Sequence, residues 1–190
     1  MKSSSLVLSF AIVSALAASA AAQPLPQYVP PARDGLTFEL NAGVGMTVQN
    51  DRVSNGVGQA SLGGLDLAIG GFVTHDLAIM LRVSGAQYGL RSSQTATKLH
   101  GFLGPTAQLW MNRFFVGGGV GIGVLGSIDD GDGRVQTPSR AGLGVDLRVG
   151  VALSQSLHTA WTLSVEGNAT SADDNAKAAT VCALLGFQYY

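Results

Sequence analysis

The chain has 190 residues, a net charge of -1, 12% charged residues, 26 glycines and a mean hydropathy of +0.29. A soluble domain carries roughly 25% charge, so much of this surface does not face water, and the near-zero net charge leaves no electrostatic case for nucleic acid. The lone Cys182 excludes an intramolecular disulfide and a cysteine zinc cluster and reads as a small packed residue. The length suits one domain.

Met1 to Ala22 has the pattern of a secretory signal: Lys2 gives the positive start, Leu6 to Ala18 the apolar run, and Ala20-Ala21-Ala22 the cleavage pattern. No cysteine lies near that site, which argues against an N-terminal lipid anchor. The apolar run is shorter than the roughly 20 residues that a spanning helix needs, and later stretches of that length are broken by glycine or polar residues. If the mature protein lives in a membrane, strands must span it. Residues 23–35 hold prolines 24, 26, 30 and 31. Proline cannot donate to a ladder, so this segment is expected to be an extended periplasmic linker, with barrel residues from 36 to 190.

From Leu36 onward the period is two, in eight segments. The first puts Leu36, Phe38, Leu40, Ala42, Val44 and Met46 against Thr37, Glu39, Asn41, Gly43 and Gly45. Next come Leu65, Leu67 and Ile69 against Asp66, Ala68 and Gly70, then Leu77, Ile79, Leu81 and Val83 against Ala78, Met80, Arg82 and Ser84. The fourth sets Leu99, Leu103, Ala107 and Leu109 against His100, Thr106 and Gln108, while Phe102 and Trp110 blur the pattern. The fifth opposes Phe114, Val116, Val120 and Ile122 to the glycines 117, 119, 121 and 123. The sixth places Leu143, Val145, Leu147 and Val149 against Asp146 and Arg148, and the seventh places Trp161, Leu163 and Val165 against Thr162, Ser164, Glu166 and Asn168. The eighth, Thr180 to Tyr190, carries Val181, Ala183, Leu185, Phe187 and Tyr189 on one face and Cys182, Leu184, Gly186 and Gln188 on the other. It cannot stand with a free edge; its cheapest partner is the first strand. Segments of about 10 to 13 residues suit strands that cross a bilayer at a tilt.

The connections Thr74 to Asp76, Asn112 to Arg113 and Ser154 to Thr159 are short, whereas Thr47 to Gln59, Gly89 to Thr97, Ser127 to Arg140 and Ser171 to Lys177 are longer and polar. Strict alternation of this kind matches the periplasmic turns and outer loops of an all-β, eight-stranded antiparallel up-and-down transmembrane barrel. Trp110, Phe114, Trp161, Phe187 and Tyr189 fall at the short-turn end and are expected to form a periplasmic aromatic girdle. The outer rim has only Met46 and Tyr88.

A barrel of eight strands is filled by side chains, here Glu39, Asp66, Asp146 and Glu166 with Arg82 and Arg148. A turn centred near residue 74 sets Asp66 opposite Arg82. A turn near 157 sets Arg148 opposite Glu166 and Asp146 opposite Asn168. Buried charges must be paired, so these residues are expected to form a structural network. The glycine ladder is expected to face Arg148 and Asp146 on one side and Thr106 and Phe102 on the other, its missing side chains making room for long ones. As a nucleotide cradle GGGVGIGVLG fails, for no helix follows it.

Residues 36 to 190 resemble the small eight-stranded outer-membrane barrels of the OmpA and OmpX type. The resemblance rests on the signal peptide, the eight alternating segments, the alternating connections and the terminal GFQYY, which is similar to the aromatic-ended signal read by the barrel assembly machinery. It implies a bacterial outer-membrane location, contact with outer-membrane lipid, docking of the C-terminal strand on that machinery and no cofactor. No peptidoglycan-binding domain is expected after the barrel, so wall anchoring is not implied. Some barrels that resemble this one are lipid A deacylases or palmitoyltransferases with histidine, serine and acid near the membrane edge. Here His75 and His158 lie in turns, and none of the three histidines has a serine two residues later on its face. No catalytic residue is therefore assigned, and the expectation is a structural or surface-exposed protein with an unnamed loop ligand. A lipid-modifying enzyme and a narrow pore stand as alternatives. A soluble lipocalin-like carrier would need the alternation inverted. The run Asp129 to Gly133 lacks the bidentate glutamate of a calcium loop, and no metal site is assigned.

Overall fold

The computed structural model describes residues 33–50, 59–88, 96–129, 135–172 and 176–190. The chain divides into residues 1–30, which lie outside the described residues together with the signal and proline positions, and the unit 31–190. The possible calcium run also falls largely outside them, at 130–134. Eight strands fill the second unit: β1 Gly35–Asn50, β2 Gln59–Phe72, β3 Leu77–Tyr88, β4 Ala96–Met111, β5 Phe114–Asp129, β6 Val135–Gln155, β7 Thr159–Ala172 and β8 Lys177–Tyr189. Each pairs antiparallel with its neighbour, and β8 closes on β1 through Phe38↔Tyr189 to Asn50↔Lys177, so the barrel has no free edge.

Alternation of side chains sets the two faces. Leu36, Leu65, Leu67, Ile69, Leu81, Ile122, Leu143, Leu147 and Leu185 stand outward and exposed, while charged and amide side chains of the opposite parity are buried inside. This is the reverse of a soluble barrel, and it is what a lipid-facing wall requires. The strands run 12 to 21 residues, longer than the segments read from the alternation, because pairing continues into the polar stretches. β5 and β6, for example, pair as far as Ile128↔Val135. Polar residues hide the alternation there without stopping the ladder.

The three short turns lie together at one end. Thr74 Oγ1 accepts from the Leu77 amide at 3.1 Å, and Ser156 Oγ accepts from the Thr159 amide at 3.1 Å. Between β4 and β5 the chain reverses over two residues, with Asn112 in the left-handed region at φ 62°, which asparagine tolerates better than most residues.

Register corrects one expectation. Phe72 pairs with Ala78, so the β2–β3 turn pivots at His75 and Asp66 lies opposite Ser84, with Arg82 opposite Ala68. The displacement is two residues. It therefore keeps every side chain on its expected face. On the other side of the barrel Arg148↔Glu166 and Asp146↔Asn168 pair as read from the turn, and the glycine ladder meets Arg148, Asp146, Thr106 and Phe102.

The segment 23–35 is also not linker to its end. Gly35 already belongs to β1, and Arg33 is 1% exposed. Its guanidinium lies 4.2 Å from the centroid of Trp110 and 5.4 Å from that of Tyr190, and its Nη2 donates to the Asn112 carbonyl at 2.9 Å. A cation stacked on buried rings is worth more than one in water, which is why this residue folds under the barrel.

Candidate functional site

The lumen is the only place where the fold gathers charge inside a described, closed wall. β1 contributes Glu39 and Asn41, β2 Asp66, β3 Arg82, β4 Gln108, β6 Asp146 and Arg148, and β7 Ser164 and Glu166; all are buried. Each occupies the inward phase of its strand.

Two guanidiniums organise the cluster. Arg82 pairs Nη1 with Asp66 and donates from Nη2 to Glu39 Oε2 at 2.8 Å; Asp146 Oδ2 and Glu166 Oε2 lie 3.9 and 3.8 Å from it. Arg148 donates from Nη1 to Glu39 Oε2 at 2.8 Å and to Asp66 Oδ2 at 3.1 Å, from Nη2 to Asn41 Oδ1 at 2.8 Å, and from Nε to Ser164 Oγ at 3.1 Å. Thus Asp66 and Arg82 meet although they are not directly opposite, because diagonal neighbours on one face stay within reach of a long side chain. Arg148 and Glu166 are directly opposite, yet Arg148 turns across the lumen. Two carboxylates attract it there, while Glu166 Oε1 accepts from Asn168 Nδ2 at 2.7 Å.

An amide chain runs downward from the cluster: Gln108 Nε2 donates to Glu39 Oε1 at 3.2 Å and to Gln188 Oε1 at 3.1 Å, and Gln188 Nε2 donates to Thr37 Oγ1 at 3.1 Å. Beneath it lies an aromatic floor of Trp110, Phe115 and Tyr190 with Ala152 and Ala160. The Arg148 guanidinium sits 5.0 Å from the Phe115 ring centroid, and Phe115 packs 4.8 Å from Trp110. Arg33, Trp110, Phe115 and Arg148 so form one continuous stack.

Trp110 is accordingly not part of the periplasmic aromatic girdle: it is 1% exposed and inside the barrel. Parity decides this, for Trp110 shares the inward phase of His100, Thr106 and Gln108. Phe114, Trp161 and Tyr189 are exposed and Phe187 is half-buried, all outside the wall. Phe187 packs 5.5 Å from Trp161, and both Phe187 and Tyr189 contact Phe38.

Above the charges, His100 is held between two hydroxyls, Thr180 Oγ1 at 2.6 Å from Nδ1 and Thr170 Oγ1 at 2.8 Å from Nε2. Neither partner is acidic, and the ring points into the lumen and away from lipid. A small cavity of about 10 Å³ lies beside it, room for one water-sized particle at most. Among the described residues no group of three or more histidine, cysteine, aspartate or glutamate side chains is arranged to hold a metal.

The fold is that of the small eight-stranded outer-membrane barrels. Among solved structures it is similar to Ail, the attachment invasion locus protein of Yersinia pestis, with a TM-score of 0.55 and 13% identity over 80% of this chain and 97% of Ail. Neisserial surface protein A is similar at a TM-score of 0.54 and 14% identity, covering 82% of this chain and 98% of that one. No protein-family model and no curated protein matches the sequence. An aliphatic exterior on this fold, with the charges inside, belongs in a lipid bilayer.

Proposed function

We propose that this chain is a non-catalytic protein of the bacterial outer membrane with a structural or surface-exposed role. In this reading residues 1–22 direct export, the C-terminal strand docks on the barrel assembly machinery, and an external ligand is met at the end of the barrel opposite the short turns. The observation that carries it is the lumen: a mutually bonded set of buried charges occupies the middle of the barrel. Glu39, Asp66, Arg82, Asp146, Arg148 and Glu166 then serve to fix the barrel internally. Phe114, Trp161, Phe187 and Tyr189 anchor the periplasmic interface, where aromatic side chains are favoured.

Two features weigh against a lipid-modifying enzyme. His100 faces inward between threonines, and His75 and His158 lie at the short-turn end without a serine-acid pair beside them. The test is twofold. Unboiled and boiled samples of the membrane fraction should migrate differently on gels, whereas recovery of the mature chain in the soluble periplasm would sink the assignment. Lipid A from cells with and without the gene should carry the same acyl chains; a difference would make the protein an enzyme.

A further inference from the structure

The lipid-facing wall of the barrel is uneven. On β7 Gly167 lies between Leu147 of β6 and Val181 of β8, both exposed, and the next outward position toward the loops pairs Ala169 with Ala179. A methyl group at Gly167 would meet nothing closer than 4.0 Å. Small residues between two raised walls leave an apolar groove of about 430 Å³ on the outer surface. An acyl chain lying in it has protein atoms beneath it and on both sides, and dispersion contacts accumulate with each of them.

The groove runs up to a cation. Lys177 opens β8 on the same outward phase as Ala179 and Val181 and pairs with Ser171 of β7. Among the described residues no ion pair engages it. Its height fits a lipid headgroup. Lys177 and Phe187 are ten residues apart on β8, which at roughly 3.3 Å per residue and a tilt of about 40° separates them by about 25 Å, the height of the apolar band of such a barrel. With Phe187 at the periplasmic interface, Lys177 therefore stands at the opposite one.

A second groove, of about 470 Å³, lies on the other side of the Val145 and Leu147 ridge and is floored by Ala107 and Gly118. The outward positions above it, Leu103, Ile122 and Val124, are uncharged. It offers a lipid tail a similar slot and a headgroup no partner.

We propose, on the orientation taken above with the short turns periplasmic, that the β6–β8 groove is a site for one molecule of lipid A, the phosphate-bearing glycolipid of the outer leaflet. An acyl chain lies along Gly167 and Ala169, and a phosphate meets the Lys177 ammonium. A second copy of the chain docked on this face about a twofold axis would instead bring two Lys177 side chains together, and like charges disfavour that contact.

The test is native mass spectrometry of the full mature chain, refolded in detergent micelles and titrated with lipid A or with lipid A stripped of its phosphates. One lipid A should be retained per barrel, and removing the phosphates should weaken binding about fivefold, the effect of one surface cation. Lys177→Gln should weaken lipid A by the same factor and leave the dephosphorylated lipid unaffected. Gly167→Leu fills the floor of the groove and should weaken both lipids; Ala169→Leu takes its place should that variant fail to fold. Ala107→Leu, in the second groove, should change neither. Heat-shifted migration of every variant is checked first, so that a lost fold, or a chain that is no barrel at all, is told apart from a lost lipid. Equal binding of the two lipids overturns the proposal, as does an effect of Ala107→Leu equal to that of Gly167→Leu. Tighter binding of phosphatidylglycerol than of lipid A, which would put Lys177 in the inner leaflet, or a dimer that excludes lipid, overturns it too.

Discussion

The middle and the floor of the lumen are built on opposite principles. In the middle, Arg82 and Arg148 each touch several acceptors drawn from β1, β2 and β7, and the net gain from any one contact is offset by the cost of taking charges out of water. At the floor, Trp110, Phe115 and Tyr190 bury large apolar surfaces, and the Arg33 guanidinium stacks under them from outside the strands. The difference teaches that the floor supplies burial, whereas the middle selects one arrangement of strands, since a slip of one residue in β6 alone would turn Asp146 and Arg148 toward lipid.

Breaking the middle should have the largest effect. Arg82→Gln leaves Glu39 and Asp66 with one guanidinium between them, and should cost about 3 to 5 kcal/mol in urea unfolding of the vesicle-inserted barrel. Combined with Asp66→Asn it should cost less than the two single changes added together; strict additivity would mean that the pair is not coupled. The packing between the charges and the outer end gives a second probe. A methyl group at Gly123 would lie 2.7 Å from Thr170 Cβ, crowding the hydroxyl that holds His100, while one at Gly167 meets nothing closer than 4.0 Å. Gly123→Ala should therefore destabilise by about 1 to 3 kcal/mol, with Gly167→Ala close to neutral by the same measurement. The floor is tested by Arg33→Ala, expected to cost about 1 to 2 kcal/mol through the lost cation–ring contact. A null result would leave Arg33 to the linker after all.

The strand count, the closure of β8 on β1 and the inward set of charges were legible because each depends only on a period of two and on where short turns fall. Glu39 and Arg148 lie far apart in sequence, on strands that do not pair, so their contact is created by closing the barrel and is invisible to reasoning from one hairpin at a time. The β2–β3 register differs by two from the one expected because the turn after Phe72 pivots at His75, one residue beyond a centre at 74. Arg33 was hidden by its proline-rich neighbourhood. Trp110 misled differently: an aromatic residue at a strand end suggests an interface anchor, yet its even number, shared with Thr106 and Gln108, already placed it inside. Alternation outranks residue type when the two disagree.

The stack at the floor also gives the molecule its own optical reporters. The chain has two tryptophans, and the wall separates them: Trp110 is sealed between Arg33 and Phe115, while Trp161 is 52% exposed on the outside beside Phe187. Brominated acyl chains quench an indole only on contact, so they should dim the outer fluorophore and spare the inner one. The two emissions then follow insertion and closure as separate events within a single unlabelled polypeptide.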